Sequence, residues 1–300
     1  MRPGKMKEGD VKILVTGGTG TVGSQVVQEL LKRKADISVL TRDGKKPLPS
    51  GAKAVEGNLL DVNSIRQVFT GVDAVFLLNP VSQTETSEAL MALSAMRTAG
   101  VKRVVYVSVH DVTAAPWLPH FGSKIGVEEA LKKAGIDYTI LRPNNFYQND
   151  YWYKDVLLQH SVYPQPIGSV GLSRVDTRDI GEAAAIALTT DGHAGETYDL
   201  VGPDILTGES TARTWSEALG KSIAYGGDDL DAWESVQVNY LPHWMVYDFR
   251  EMYRHFQRKG LKATPEAIAR QTQLLGHAPR SFGAFARETA AAWTASQPER

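Results

Sequence analysis

Two stretches of this sequence carry chemistry by residue type and spacing. The first is Thr16-Gly17-Gly18-Thr19-Gly20-Thr21-Val22-Gly23, a G-x-x-G-x-x-G run. It follows the β-branched segment Lys12–Thr16. It opens residues 22–34, where Val22, Val26, Val27, Leu30 and Leu31 fall at helical spacing. Between a strand and a helix such glycines divide the work. The first permits the tight turn, the second lets backbone approach a pyrophosphate, and the third lets helix and strand pack closely. The helix start then presents free N–H groups and the positive end of its dipole to phosphate. The strand–glycine–helix context separates this run from a chance glycine triplet, whose alternative reading is a purely structural turn. The second stretch is Leu40-Thr41-Arg42-Asp43, with Lys45 and Lys46 close behind, at the end of the next apolar segment. Arg42 is placed to clamp a ribose 2′-phosphate bidentately, which favours NADP(H). Asp43 could accept from a 2′-hydroxyl and keeps NAD(H) open. A solvated surface charge is the plain alternative for Arg42.

These residues need a scaffold, and the flanking pattern supplies one. Short apolar runs at Lys12–Thr16, Ile37–Thr41, Lys53–Glu56, Ala74–Leu78, Arg103–Val109 and Tyr138–Arg142 read as strands. Residues 22–34, Val62–Phe69, Glu85–Ala99 and Ser123–Ala134 read as helices between them, with Asp61 or Asn63 as a cap for the second. Alternation with short connections predicts a parallel α/β sheet with right-handed crossovers, its strands apolar on both faces. After Asn145 the pattern loosens: a short helix over 148–160, a Pro/Gly-rich segment Tyr163–Gly171, an Ala-rich helix Asp176–Thr189 and a last strand Glu196–Val201. Helices are then expected at 208–219, 241–258, 265–275 and 281–294. The predicted division is a dinucleotide-binding domain of residues 1–145 with 176–202, and a smaller, mostly helical substrate-binding cap of 146–175 with 203–300.

Composition narrows the function classes. The 300 residues suit one or two domains, and 42% hydrophobic with 22% charged residues excludes intrinsic disorder. Lys plus Arg total 33 against 34 for Asp plus Glu, so no global charge draws the chain to nucleic acid or to an anionic membrane. With no cysteine, disulfides, thiolate nucleophiles, Cys-zinc sites and iron–sulfur clusters are excluded together. The seven histidines show no metal-ligand spacing, so no metal is expected. The opening MRPGKMKEGD is polar, no apolar run is long enough to span a bilayer, and a cytoplasmic protein is expected. Only Phe69, Phe76 and Tyr106 among the aromatic residues precede position 117. Tyr147, Tyr151, Trp152 and Tyr153 crowd one segment, and Trp233, Tyr240, Trp244 and Tyr247 a second. Tyr147, Tyr151, Trp152, Trp233 and Trp244 are candidates to stack on a planar substrate, the alternative being that they fill the cap's core. The basic stretch Arg250–Lys259 reads as a solvated or subunit-facing helix surface.

The ordered set TGGTGTVG, Gly57–Asp61 (GNLLD), His120–Lys124 (HFGSK), Ile140–Phe146 (ILRPNNF), Val175–Ala184 (VDTRDIGEAA) and Gly276–Phe285 (GHAPRSFGAF) resembles the NmrA-like atypical short-chain dehydrogenase/reductases along nearly the whole chain. The resemblance implies a Rossmann-type doubly wound sheet, bound NADP(H), and either reduction of quinones or related aromatic carbonyl compounds or a redox-sensing regulatory role without turnover. It assigns Gly17, Thr19, Gly20, Thr21, Val22 and Gly23 to the phosphate loop, Asn58 and Leu59 to the adenine side, and Leu78, Asn79 and Pro80 to the ribose wall. Pro143, Asn144, Asn145 and Phe146 match the loop toward the nicotinamide. Lys124 matches the lysine of the superfamily's Y-x-x-x-K, with a role at the cofactor ribose.

The departure from that pattern is at the tyrosine, whose position holds His120. Three readings of His120 stand: a general acid, a polar contact to substrate or cofactor, or a helix-start residue without chemistry. The serine of the superfamily falls near Ser108 or His110. Without a tyrosine acid, quinone reduction is favoured over ketone reduction, because quinone oxygens can take protons from water. An epimerase or dehydratase is disfavoured on the same ground. The expected partners are a small aromatic or quinone molecule and, at most, a second copy of the chain.

Overall fold

The computed structural model describes residues 11–44 and 47–295; Lys45, Lys46 and the opening decapeptide lie outside the described residues. The strands are β1 (Lys12–Val15), β2 (Asp36–Thr41), β3 (Lys53–Glu56), β4 (Ala74–Leu77), β5 (Arg103–Val107), β6 (Asp137–Pro143), β7 (Val162–Tyr163), β8 (Glu196–Leu200) and β9 (Ala224–Tyr225). The helices are α1 (Thr21–Lys32), α2 (Val62–Val68), α3 (Glu85–Ala99), α4 (Pro119–Lys132), α5 (Thr177–Thr189), α6 (Gly208–Leu219), α7 (Leu230–Gln237), α8 (His243–Lys259), α9 (Pro265–Leu275) and α10 (Phe282–Ala295). Two compact units result: Met1–Pro143 with Thr177–Asp199, and Asn144–Asp176 with Leu200–Arg300.

The first unit is a Rossmann-type α/β layer structure. Its sheet runs β3-β2-β1-β4-β5-β6-β8. β1 pairs in parallel with both β2 and β4, and Ile13 faces Ile37 on one side and Ala74 on the other. Strand order therefore reverses beside β1, and the carboxyl ends of β1 and β4 flank the crevice where such sheets bind ligands. Complete burial of Leu14, Val15 and all of β4 explains why these strands are apolar without alternation. α1 buries Val22, Val26, Val27 and Leu30, the stripe its spacing predicts. Asp61 caps α2, its Oδ1 accepting from the backbone N–H groups of Asn63 and Ser64. α5 packs closely on α1: a Cβ at Gly181 would lie 2.7 Å from Gln25 Cβ, which explains the small residues of this helix.

α4 begins four residues earlier than the expected Ser123. Pro119 occupies its first turn, where a missing N–H costs nothing and a fixed φ favours the helix. His120, Ser123 and Lys124 therefore share one helical face.

The second unit is mostly helical. Within it Arg174 and Asp150 form a fully buried ion pair, Nη2 to Oδ1 at 2.7 Å. Trp215 Nε1 donates to Asp150 Oδ2 at 2.9 Å, and Trp215 stacks on Trp293. The expected helix over 148–160 is instead a 3₁₀ segment at Tyr147–Tyr153 and a π-turn at Val156–His160, closed by Ser161 in the left-handed region. The short β7–β9 ladder and α7 lie outside the sequence expectation. Arg250 and Arg254 of the basic stretch pair with Asp231, Glu234 and Glu251 on their own surface. Among the described residues no helix is long and apolar enough to cross a membrane.

Candidate active site

The glycine loop is built as its spacing predicts, with one refinement. Gly17 has φ +66°, a conformation that disfavours any side chain. A Cβ at Gly23 would stand 2.2 Å from the Gly17 carbonyl oxygen, so this glycine is required by the loop itself rather than by the strand. Gly20 differs: a Cβ there would meet only the Gly17 carbonyl, at 3.3 Å. Its outer side is open, as a pyrophosphate-facing position requires. Gly20 is also the N-cap of α1, and no side chain caps the first N–H groups. Thr19 and Thr21 are exposed on this rim, whereas the Val22 side chain is buried, leaving its backbone to face the loop.

At the end of β2, Thr41 Oγ1 accepts from the Asp43 N–H at 3.2 Å and donates to the Asp43 carbonyl at 2.9 Å. This turn pins the backbone on both sides of Arg42, whose side chain is exposed. After β3, Asn58 Oδ1 accepts from the Leu60 N–H, and the Asn58 N–H donates to Ser64 Oγ. Leu59 is buried beneath this turn. After β4, Leu78 is half-buried and packs against the Gly17 turn, and Pro80 is exposed. Asn79 is only 3% exposed, yet both carboxamide atoms lack a hydrogen-bond partner. A buried amide left in that state costs about 1–3 kcal/mol, so it calls for a ligand that supplies partners. The sugar and phosphate groups of a dinucleotide fit that requirement. Loop, Arg42 and Asn79 together fit the cofactor that the sequence predicts.

Lys124 is nearly fully buried and donates to Glu85 Oε1. Its side chain is thus held inside the unit rather than solvated on the helix surface. Glu85 opens α3, and its other oxygen, Oε2, accepts from Ser123 Oγ at 3.2 Å and lies 3.5 Å from His120 Nδ1. Burial pushes the Glu85 carboxyl up, but His120 and Lys124 outweigh it and hold the group below its ordinary range. The Lys124 ammonium also lies 5.7 Å from the centre of the Tyr106 ring. Burial, with Glu85 and Glu128 adding to it, raises the Tyr106 phenol well above its ordinary value, so this phenol stays protonated. Glu85 was not among the residues expected at the site. An acid in the first turn of the helix after β4 was its one sequence signal.

Ser108 and His110 follow β5 at the same sheet edge but have separate partners. Ser108 Oγ donates to Glu128 Oε1 at 2.5 Å, and Arg142 holds the same carboxylate through Nε and Nη2. His110 Nδ1 lies 3.1 Å from Asp199 Oδ1.

The residues after Pro143 belong to the second unit. Asn144 Nδ2 donates to the Leu261 carbonyl, and Asn145 Oδ1 accepts from Arg174 Nε. The Phe146 carbonyl accepts from Arg174 Nη2 at 2.7 Å. Two of the aromatic substrate candidates are corrected by burial. Tyr147 has no exposed surface and packs against Phe282 and Phe285, its hydroxyl donating to the Arg280 carbonyl. Trp233 is buried edge-on against Tyr253. Both rings fill the core of their unit, because a large apolar surface gains more from packing there than from waiting for a ligand. Trp152 is 67% exposed, Tyr151 is exposed and leans on Phe285 and Trp293, and Trp244 is half-buried.

A family profile described as NmrA-like family matches residues 9–286. The chain belongs to the NmrA-like family. This NmrA-like protein is 30% identical to an NAD(P)H azoreductase of Xenophilus azovorans over 95% of its own length and 100% of that protein's. Its fold matches the NADPH complex of the quinone oxidoreductase QOR2 of Escherichia coli with a TM-score of 0.82, at 22% identity, covering 94% of this chain and 99% of that one. It also matches the NADP complex of NmrA, a negative transcriptional regulator, with a TM-score of 0.79, at 16% identity, covering 97% and 99%. One fold thus serves proteins described as a reductase and as a regulator, and only the residues of the site can separate the two for this chain.

Proposed function

We propose that this protein is an NADPH-dependent oxidoreductase that reduces a quinone or a related aromatic small molecule by hydride transfer. The observation that carries the reading is the Lys124–Glu85–His120 cluster, a buried ion pair with a partly exposed imidazole beside it, at the helix starts that follow β4 and β5. A nucleotide reader needs the loop and Arg42 but has no use for a proton-bearing cluster held by a desolvated carboxylate. Kinship over the full length with a protein described as an azoreductase supports the same reading. When bound, the reduced nicotinamide supplies the hydride. The chain's own residues do the remaining work. The glycine loop and the α1 N-terminus hold the pyrophosphate. Arg42 holds the 2′-phosphate, Asn58 and Leu59 border the adenine, and Asn79 meets the ribose. Lys124 sets the nicotinamide ribose, at which a misplacement of about 1 Å can cost roughly 100-fold in rate.

The test is steady-state oxidation of NADPH with a panel of benzoquinones, naphthoquinones, azo dyes and aromatic aldehydes. Turnover above the protein-free rate with at least one acceptor, lowered more in kcat than in NADPH affinity by Lys124→Ala, is expected. Tight NADPH binding with no turnover across the panel would move the protein to the regulatory reading.

A further inference from the structure

Hydride delivery alone does not account for the second oxygen of Glu85. One oxygen balances the Lys124 ammonium, which is enough to neutralise a buried pair. The other faces Ser123 Oγ at 3.2 Å and His120 Nδ1 at 3.5 Å. Ser123 Oγ also lies 2.8 Å from the His120 carbonyl, so its single hydroxyl proton is shared between that carbonyl and the Glu85 carboxylate. A carboxylate beside Nδ1 favours the tautomer with the proton on Nδ1 and leaves Nε2 to exchange protons elsewhere. The His120 side chain is 20% exposed, whereas those of Lys124 and Glu85 are 3% and 4% exposed. The imidazole is thus the member of the cluster that reaches solvent, from which a spent proton can be replaced. A separation of 3.5 Å is long for a hydrogen bond, and catalytic hydrogen bonds tighten as the reacting complex forms.

We infer that His120 is the proton donor of the reaction, that Glu85 positions it, and that the protein therefore accepts substrates whose reduction needs a proton beside the atom that receives hydride. Aromatic azo N=N and aldehyde C=O groups are the chemical classes meant. The inference rests on the reductase reading above. In the step, the acceptor gains hydride at one atom of the double bond, forming an N–H or C–H bond. The π pair moves to the neighbouring atom, which takes the Nε2 proton. His120 is left neutral and regains a proton from water. The acceptor is reduced by two electrons and NADPH is oxidised to NADP⁺. A quinone asks less of the residue, because its delocalised oxyanion can wait for a water proton.

The experiment compares wild type, His120→Gln and Glu85→Gln under saturating NADPH with two acceptors, an azo dye and 1,4-benzoquinone. NADPH affinity and circular dichroism are measured alongside. His120→Gln should lower kcat on the azo dye by about 10²- to 10⁴-fold, the usual worth of a positioned acid. The loss on the quinone should be smaller by at least about 100-fold. Glu85→Gln should show the same acceptor-selective loss at smaller size, and the solvent deuterium effect on azo reduction should shrink in both variants. If Glu85→Gln fails to fold, the partly exposed His120 carries the comparison alone. Equal losses on both acceptors, or none, would overturn the inference. Wild type active on the quinone but not on the azo dye overturns it while leaving the reductase reading intact. Wild type inactive on both overturns the two together.

Discussion

Arg42 and the glycines are the residues whose roles separate most cleanly by substitution. Arg42→Ala removes one charge-assisted bidentate contact, worth about 1.5–3 kcal/mol, and should weaken NADPH by roughly 10- to 100-fold while leaving NADH nearly unchanged. Calorimetric titration of both nucleotides checks this; equal losses would return Arg42 to the status of a surface charge. Gly20→Val and Gly23→Val should part ways. A side chain at Gly20 meets only the Gly17 carbonyl, at 3.3 Å, a far milder crowding than at Gly23, and should abolish nucleotide binding in a protein that still folds. A side chain at Gly23 collides with the Gly17 carbonyl and should lower the melting temperature itself. Retained binding by a folded Gly20→Val variant would reduce the loop to a turn. These positions were legible because their partners are neighbours in the chain. Glu85 was not, since its contact with Lys124 spans 39 positions, and neither was the unpartnered state of Asn79, which only burial creates.

At the scale of elements, the strands and the helices of the first unit follow the apolar spacing closely, because a two-sided sheet leaves little freedom in where Val and Ile can go. α4 extends past the expected start at Ser123: its buried face already includes Phe121, and Pro119 starts the helix and makes His120 and Lys124 neighbours one turn apart. α3 and α4 meet through Glu85, and this joint has a pH signature. The Glu85 carboxyl is held below its ordinary value of 4.5. Its ionisation therefore stabilises the fold fully above that value, and the stabilisation is lost as pH falls through the lower folded-state value. Melting temperature measured from about pH 6 down to pH 3 should fall less steeply in Glu85→Gln than in wild type. Parallel slopes would mean that the carboxylate contributes nothing to the joint. The 3₁₀ segment after Phe146 differs from the α-helix expected there because its buried Tyr147, Asp150 and Tyr153 recur every three residues, the 3₁₀ period, over too short a run to separate it from an α-helix by spacing.

For the whole molecule, the strand order with its reversal beside β1 sets the carboxyl ends of β1 and β4 around the loop, Arg42 and Asn79. The second unit is organised around a charge that no periodicity announces. Arg174 reaches Asp150, Asn145, Phe146 and Tyr147 from complete burial, with its guanidinium over the Phe282 ring. Arg174→Met should cost about 3–5 kcal/mol, because it strands the Asp150 carboxylate in the interior. The urea midpoint reports this, and an unchanged midpoint would show that the pair is dispensable. Hydride transfer from a nucleotide held by the first unit can be measured without an assumption about the natural acceptor. The protein is loaded with NADPH dideuterated at nicotinamide C4 and mixed rapidly with an excess of a quinone, and the single-turnover loss of nicotinamide absorbance is compared with that for unlabelled NADPH. A transient faster than the protein-free reaction and slowed by deuterium is the predicted result. A transient no faster than in buffer, with the nucleotide still bound, would contradict it.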